Sequence, residues 1–131
     1  MTEIKVTNIN EELSNVTFLE GRTPHSTGKE LGKAFATLSA YEGGGVFAGC
    51  YSGESAWERH PAGDELVQIL DGAAEITILT ENNEQTFDLI KGSIIVVPKG
   101  LWHRFKASDG VTVLAAAPGD TDHSTASDPR N

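Results

Sequence analysis

Short extended segments separated by glycine, aspartate and asparagine turns run along nearly the whole chain, and this pattern most constrains its fold. Apolar and polar residues alternate in "EITIL" (75–79) and "QTFDLI" (85–90), whereas almost no stretch repeats its apolar residues at helical spacing. Such alternation predicts strands with one packed and one wet face. Many short strands at these intervals predict an all-β sandwich or barrel. We expect ten strands, at residues 3–9, 16–19, 33–41, 46–52, 65–70, 73–79, 85–90, 93–97, 103–108 and 111–117.

The composition limits the possible partners and location of the protein. At 131 residues the chain has the size of one domain with a single core. Its one cysteine, Cys50, cannot form an intrachain disulfide, and its N-terminal residues form no apolar leader, so we expect a cytoplasmic protein. Its longest apolar runs are too short to cross a bilayer, so no membrane role is expected. A formal net charge of -9 would repel a phosphate backbone, so nucleic acid is not an expected partner.

The two ends of the chain differ from its middle. Residues 119–131 contain no large apolar side chain, so we expect a flexible polar tail in which His123 is solvated. Residues 20–30 are predicted to form a loop, with His25 on the surface. The predicted domain is a single barrel over residues 1–118, with an N-terminal strand arm that could pair with a second subunit.

Two glutamates and two histidines stand next to turns between the predicted strands. Glu58 and His60 are two residues apart, so on an extended chain both side chains project from the same face. Glu65 follows across a Pro-Ala-Gly-Asp turn, and His103 follows a Pro-Lys-Gly turn at the start of another strand. If the two turns lie opposite each other, these four groups form one site.

The spacing of these residues resembles the two sequence motifs of the cupin family. Three residues meet the first motif, namely His60, Glu65 and Gly72, and Glu58 stands where its first histidine is usual. Four residues meet the second motif without a gap: Gly92, Pro98, Gly100 and His103. There are two further departures, since Gly53 lies one residue closer to the first motif than expected and Ala107 replaces a frequent asparagine.

The resemblance implies a double-stranded β-helix, or jelly-roll, barrel that forms a homodimer and binds one divalent metal ion. Carried over position by position, the metal ligands are Glu58, His60, Glu65 and His103, and the candidate ions are Fe, Mn, Zn and Ni. Two arrangements remain open. In the first, all four residues coordinate the ion. In the second, His60, Glu65 and His103 form a triad with open positions, and Glu58 serves as a general base.

Strand alternation also predicts the wall of the cavity around the metal. Apolar residues share the faces of the four ligands, namely Val67, Ile69, Leu101 and Phe105. Small residues are expected to leave room for a ligand, either Ala48 and Cys50 or Ala34 and Ala36. Trp57 and Trp102 each precede a candidate ligand, so their indoles are expected to point away from the metal.

Together these features predict a metal-dependent enzyme, of a dioxygenase-like type, that acts on a small oxygenated organic compound with an apolar body. No catalytic residue beyond the metal ligands is identified from the sequence. The alternative is a non-catalytic protein that binds or senses a small ligand, because one fold hosts both kinds of function. Tight capture of a compound without chemical change would favour this alternative.

Overall fold

The computed structural model describes residues 3–131 and confirms the all-β prediction, with two short helices added to the strands. The elements follow in chain order: α1 (Ile9–Leu13), β1 (Leu19–Arg22), α2 (Gly28–Ala34), β2 (Phe35–Tyr41), β3 (Gly44–Glu54), β4 (Trp57–Arg59), β5 (Glu65–Leu79), β6 (Glu84–Ile90), β7 (Ile94–Val97), β8 (His103–Ala117) and β9 (Asp122–Ser124).

Within the described residues, nine strands form one sheet that curls around the core. β8 lies at its centre and pairs with β3 on one side and β5 on the other, both antiparallel. β2 pairs with β3, β6 and β7 pair with β5, and β4 joins β8 to the short strand β9. β1 pairs with β3 in the parallel direction. This is the jelly-roll arrangement that the sequence predicted.

β5 and β8 each contain 15 residues, whereas the sequence predicted two separate strands in place of each. Register shifts between Ile69 and Asp71 and between Gly72 and Glu75 mark the bends in β5. Such irregularities allow a strand to bend while its backbone pairing continues on both sides. The first half of β5 therefore pairs with β7 and the second half with β6, which wraps the sheet around its contents.

The hydrophobic core fills the inside of the curl. Its fully buried large side chains include Tyr51, Val67, Ile69, Ile76 and Val97. Three of the four candidate ligands are buried beside this core, since His60, Glu65 and His103 are 4%, 5% and 0% exposed. Polar groups buried in apolar surroundings are costly unless they are paired, so these three side chains require a partner.

The N-terminal part of the chain differs from its prediction. The expected strand at residues 3–9 is absent, and α1 begins at Ile9, where the Asn8 side chain accepts a hydrogen bond from the Glu11 backbone N–H. Such a cap stabilises the first turn of a helix, and alternation alone did not reveal it. The predicted loop at 20–30 contains the end of β1 and the start of α2, while His25 is exposed as expected. No helix in residues 3–131 is long and apolar enough to span a membrane.

The C-terminal segment also differs from the expected flexible tail. Its residues Asp122–Ser124 form β9, which pairs with β4, and Asp122 Oδ2 accepts a 2.8 Å bond from Arg59 Nη2. Arg130 donates hydrogen bonds of 2.8 and 3.1 Å to two carbonyl oxygens after β5. Backbone pairing, which needs no apolar side chain, orders this segment. His123 is exposed, as predicted, and the domain boundary at 118 stays a prediction.

Candidate metal centre

The four candidate ligands lie in or directly next to three strands, β4, β5 and β8. Glu58 occupies the middle of β4 and is the register partner of His103, the first residue of β8. His60 directly follows β4, and Glu65 is the first residue of β5. The two motifs are therefore adjacent in space, as the sequence predicted.

Two hydrogen bonds join the turns of the two motifs. The Gly100 backbone N–H donates to the His60 carbonyl oxygen at 3.0 Å, and the Lys99 backbone N–H donates to Asp64 Oδ1 at 2.8 Å. Gly100 adopts a φ of 77°, a left-handed conformation that glycine adopts at little cost. The exposed Asp64 side chain thus positions the turn that precedes Glu65.

Ser55 connects the start of β4 to β8 from within the protein. Its hydroxyl accepts a 2.9 Å bond from the Phe105 N–H and donates a 2.8 Å bond to the Ala56 carbonyl. Its own N–H donates to the Phe105 carbonyl oxygen at 3.0 Å. At 1% exposure Ser55 is out of reach of solvent, so these bonds set the position of β4 relative to β8.

The ligand atoms converge within short distances of one another. Glu65 Oε1 lies 2.9 Å from His103 Nε2, and Glu65 Oε2 lies 3.3 Å from His60 Nε2. Glu58 contributes an atom that, with one nitrogen from each histidine, forms a group of three within 4.8 Å of one another. The structure thus brings together all four residues that the sequence predicted.

Within residues 3–131, three of these buried atoms have no partner in hydrogen-bonding geometry, namely His60 Nε2, Glu65 Oε1 and His103 Nε2. Glu65 approaches the imidazoles to ion-pair distance without the alignment that a hydrogen bond needs. Two ligand atoms about 2.1 Å from one ion and at right angles to each other are about 3 Å apart. The observed separations therefore fit a shared metal ion, which would satisfy all three atoms.

The opposite ring nitrogens orient the two imidazoles. His103 Nδ1 lies 3.1 Å from the Leu101 carbonyl oxygen, which can only accept, so this nitrogen carries a proton. In its neutral form the ring then presents the lone pair of Nε2 to the site. His60 Nδ1 lies 3.1 Å from Thr121 Oγ1, a hydroxyl just before β9. Thr121 belongs to the segment expected to be a tail, and its sequence gave no signal of this contact.

The charge states of the site reflect the short distances. Burial alone would raise the pKa of Glu65, but His103 and His60 beside it lower that pKa to about 2. Burial would lower the pKa of His103, whereas Glu65 beside it raises that pKa overall. Glu65 is therefore an anion at neutral pH and provides the negative charge that a cation needs.

A buried arginine that the sequence did not indicate stands next to these ligands. Arg22 Nη2 lies 3.6 Å from Glu58 Oε1, and the Arg22 side chain is 8% exposed. Its guanidinium carbon lies 4.6 Å from the Tyr51 ring centroid and 5.6 Å from that of Phe35. Arg22 reaches this place because β1 pairs with β3, about thirty residues away along the chain. No local sequence pattern reports such a pairing.

A cavity of about 350 Å³ opens in front of the candidate ligands. Glu58, His60 and Glu65 line it, and Val67 and Phe105 form part of its apolar wall, as predicted. The prediction was wrong for Ile69 and Leu101, which do not line it. The small residues expected there, in α2, β2 and β3, do not line this cavity either. Larger side chains on the opposite faces of these strands do so, namely Phe35, Thr37, Phe47 and Tyr51.

Both tryptophans lie outside this cavity, as the alternation predicted. Trp57 and Trp102 pack with Leu79 in a cluster separate from the main core. Arg104 stacks over Trp57 and Arg59 over Trp102, each with 4.5 Å between its guanidinium carbon and the ring centroid. The indoles thus support the outer side of β4 and β8.

Solved structures with this fold cover nearly all of the chain. Hydroquinone 1,2-dioxygenase from Sphingomonas sp. TTNP3, solved with 4-hydroxybenzoate bound, is 17% identical with a TM-score of 0.61, covering 91% of this chain and 82% of that one. A cupin-2 domain containing protein from Shewanella frigidimarina NCIMB 400 is 18% identical with a TM-score of 0.58, covering 91% and 95%. At these identities the similarity establishes the fold alone.

Sequence comparison gives a shorter but closer match. Acireductone dioxygenase from Rhodopseudomonas palustris strain TIE-1 is 42% identical over 50 residues, which are 38% of this chain and 30% of that enzyme. The chain thus matches less than a third of this relative's length. The family model described as Cupin domain matches residues 51–116, just over half of the chain and the part that holds all four candidate ligands. The chain belongs to the cupin family.

Proposed function

We propose that the protein is a metal-dependent enzyme of the dioxygenase type that acts on a small oxygenated organic compound. One divalent ion, Fe, Mn, Zn or Ni, is held by His60, Glu65 and His103, with Glu58 as the fourth group of the site. The observation that carries the proposal is the convergence of three buried polar atoms that have no hydrogen-bond partner in the part of the chain that the structure describes. Two imidazole nitrogens and a carboxylate suit this set of ions.

The chain's own residues prepare the site for binding. The Leu101 carbonyl and the Thr121 hydroxyl hold the outer nitrogens of the two imidazoles, which directs both Nε2 atoms inward. The apolar wall of the cavity excludes water and contacts the body of the compound. When bound, the metal supplies Lewis acidity and, if it is iron, redox chemistry with open positions.

Glu58 differs from the other three residues of the site. Its side chain is 19% exposed and forms an ion pair with Arg22, whereas Glu65 is 7% exposed and lies at ion-pair distance from the two histidines. Because Glu58 has a second partner, it is the ligand of this set that exchanges most readily, and we assign it as the fourth ligand. The alternative role is that of a general base that accepts a proton from the bound compound, and a substitution of Glu58 distinguishes the two roles.

Two similar proteins support the dioxygenase part of the proposal. The Rhodopseudomonas relative and the Sphingomonas structural neighbour are both named as dioxygenases. The first matches 38% of this chain and the second shares only its fold. Their names therefore indicate which reaction to test first.

Metal content tests the site directly. Protein purified and then incubated with Fe, Mn, Zn or Ni should retain about one ion per chain by plasma mass spectrometry. H60A should lose the ion, and H25A, which removes an exposed histidine outside the cavity, should retain it. Reduced metal content in E58Q supports ligation by Glu58, and unchanged content supports a role as base. Wild-type protein that stays free of all four metals would overturn the proposal.

Oxygen uptake tests the reaction. The metal-loaded protein is mixed with a panel of small organic acids and phenols in an oxygen electrode cell, and the products are analysed by mass spectrometry. Uptake that depends on metal and is lost in H60A supports a dioxygenase. Binding of a panel member without uptake or conversion would instead support the non-catalytic alternative.

We further propose that the protein is a homodimer. Several large apolar side chains at the β6 and β7 side of the sheet are exposed, among them Ile90, Ile94 and Val96 at 66%, 61% and 52%. Large exposed apolar side chains grouped on neighbouring strands are typical of protein contacts. Light scattering coupled to size exclusion should give twice the 14.0 kDa mass of the chain, and a monomer mass would refute the assignment.

A further inference from the structure

We propose that Arg22 binds the carboxylate of the compound that occupies the cavity, so that the protein is selective for small organic acids carrying one negative charge. The inference rests on the proposed function only in taking this cavity as the ligand site. It assigns a role to a buried residue outside both sequence motifs.

The position of Arg22 is fixed before any ligand arrives. Among residues 3–131, it is the one arginine or lysine that lines the cavity. Its guanidinium is stacked near the rings of Tyr51 and Phe35, which restricts its rotation. Its backbone packs against Gly53, where a Cβ atom would collide with the Arg22 carbonyl oxygen. A preorganised charge of this kind binds a ligand with little further loss of side-chain entropy.

The guanidinium is not fully satisfied within the chain. Within the described residues its one partner of opposite charge is Glu58, at 3.6 Å, which exceeds the usual 2.7–2.9 Å of a charge-assisted hydrogen bond. A guanidinium has five N–H donors in a planar fork. It can therefore donate to a second carboxylate, that of a ligand in the cavity. The planar fork matches a carboxylate with two parallel hydrogen bonds.

The surroundings favour a ligand with a single negative charge and an apolar body. Glu58 and Glu65 also line the cavity and repel each negative charge of a ligand, and the one guanidinium there compensates one such charge, so the second charge of a dianion such as a phosphate ester is left without a partner. A neutral ligand would leave the buried guanidinium without compensation for its lost water. The remaining wall is largely apolar, including Val67, Phe105 and Val113. At about 350 Å³ the cavity is near the small end of ligand sites.

The position of Arg22 also places the bound acid next to the metal site. Its ionic partner Glu58 has a carboxylate oxygen within 4.8 Å of one ring nitrogen each of His60 and His103. A ligand carboxylate at the guanidinium therefore lies beside the proposed metal ligands.

Matched acid and amide probes test the inference. Benzoate with benzamide, and hexanoate with hexanamide, are titrated into metal-free and zinc-loaded protein by isothermal calorimetry. Each acid should bind at least tenfold more tightly than its amide, as expected for hydrogen bonds to a charged group. In R22Q the affinity for the acid should fall at least tenfold, with the affinity for the amide almost unchanged. R104Q, which removes an arginine stacked on Trp57 outside the cavity, should behave as wild type.

A measurement on the wild type covers the case in which R22Q does not fold. The Arg22 Nε–Hε resonance, assigned in a nitrogen–proton correlation spectrum, should shift on adding either acid and stay in place on adding either amide. Acids that bind no better than amides, a preference that survives in R22Q, or an unmoved Arg22 resonance would each overturn the inference. Because binding is also measured without metal, this failure is separate from a failure to bind metal or consume oxygen.

Discussion

Replacing the buried Ser55 by alanine should destabilise the protein far more than the same replacement of a serine on the protein surface. The Ser55 hydroxyl accepts a hydrogen bond from the Phe105 N–H, and both residues are buried, at 1% and 8% exposure. In S55A the donor at Phe105 loses its partner. The space left by one oxygen atom is too small to hold a replacement water.

The expected magnitude follows from this unpaired donor. A buried N–H without a partner costs about 1–3 kcal/mol of unfolding free energy. For a domain of this length, about 1 kcal/mol corresponds to about 4 °C in melting temperature. We therefore expect S55A to melt about 4–12 °C below wild type. The second Ser55–Phe105 bond, from the Ser55 N–H, is retained because the substitution leaves the backbone unchanged.

Thermal unfolding followed by circular dichroism, together with urea titration, measures the effect. S39A is the matched control, because the Ser39 hydroxyl is exposed and bonds only to the carbonyl of the next residue. The control should stay within about 0.5 kcal/mol of wild type. If S55A and S39A have the same stability, the Phe105 N–H is not paired as described and the reasoning fails.

Three further predictions concern the site. The unfolding free energy of the metal-free protein should fall as pH drops from about 4.5 to about 2, because the pKa of Glu65 is lower in the folded chain than in the unfolded one. In urea titrations at a series of pH values, E65Q should lack the part of this pH dependence that Glu65 contributes. G53A should lose about 2 kcal/mol or more of unfolding free energy, since φ is 103° and a Cβ there meets the Arg22 backbone. G32A in α2, where a Cβ meets nothing within the described residues, should lose none, and equal stabilities of the two variants in urea would contradict this. Zinc at a hundredfold excess over its dissociation constant should add about 2.7 kcal/mol of stability to wild type and none to H60A, and a thermal shift shared by both would refute the site.

The sequence was informative wherever a short segment determined the structure. Fixed spacing around two turns identified the four candidate ligands, because it places them in or next to neighbouring strands: Glu58, His60, Glu65 and His103. The face of each strand that lines the cavity was predicted correctly for Val67 and Phe105 on the long strands. It was wrong for β2 and β3, where both faces carry apolar residues and alternation cannot distinguish them.

Features that depend on distant contacts could not be predicted from the sequence. Gly72 and Gly110 resemble turn residues, and both have positive φ, yet each lies inside a continuous strand where the sheet bends. Arg22 enters the cavity through a parallel pairing with β3 that has no local signature. Thr121 is positioned by the adjacent strand β9. Backbone hydrogen bonds stabilise this strand and its polar side chains contribute little, so its sequence does not indicate a strand.

The two hydrogen bonds that join the motif turns have a consequence for the order of folding. They connect positions 35 and 40 residues apart in the chain, Asp64 with Lys99 and His60 with Gly100. Closing loops of this length delays the pairing of distant strands, so such contacts form late. During synthesis on a ribosome, His60 and Glu65 emerge well before His103. The nascent chain therefore has no complete binding site until β8 has left the exit tunnel and docked between β3 and β5.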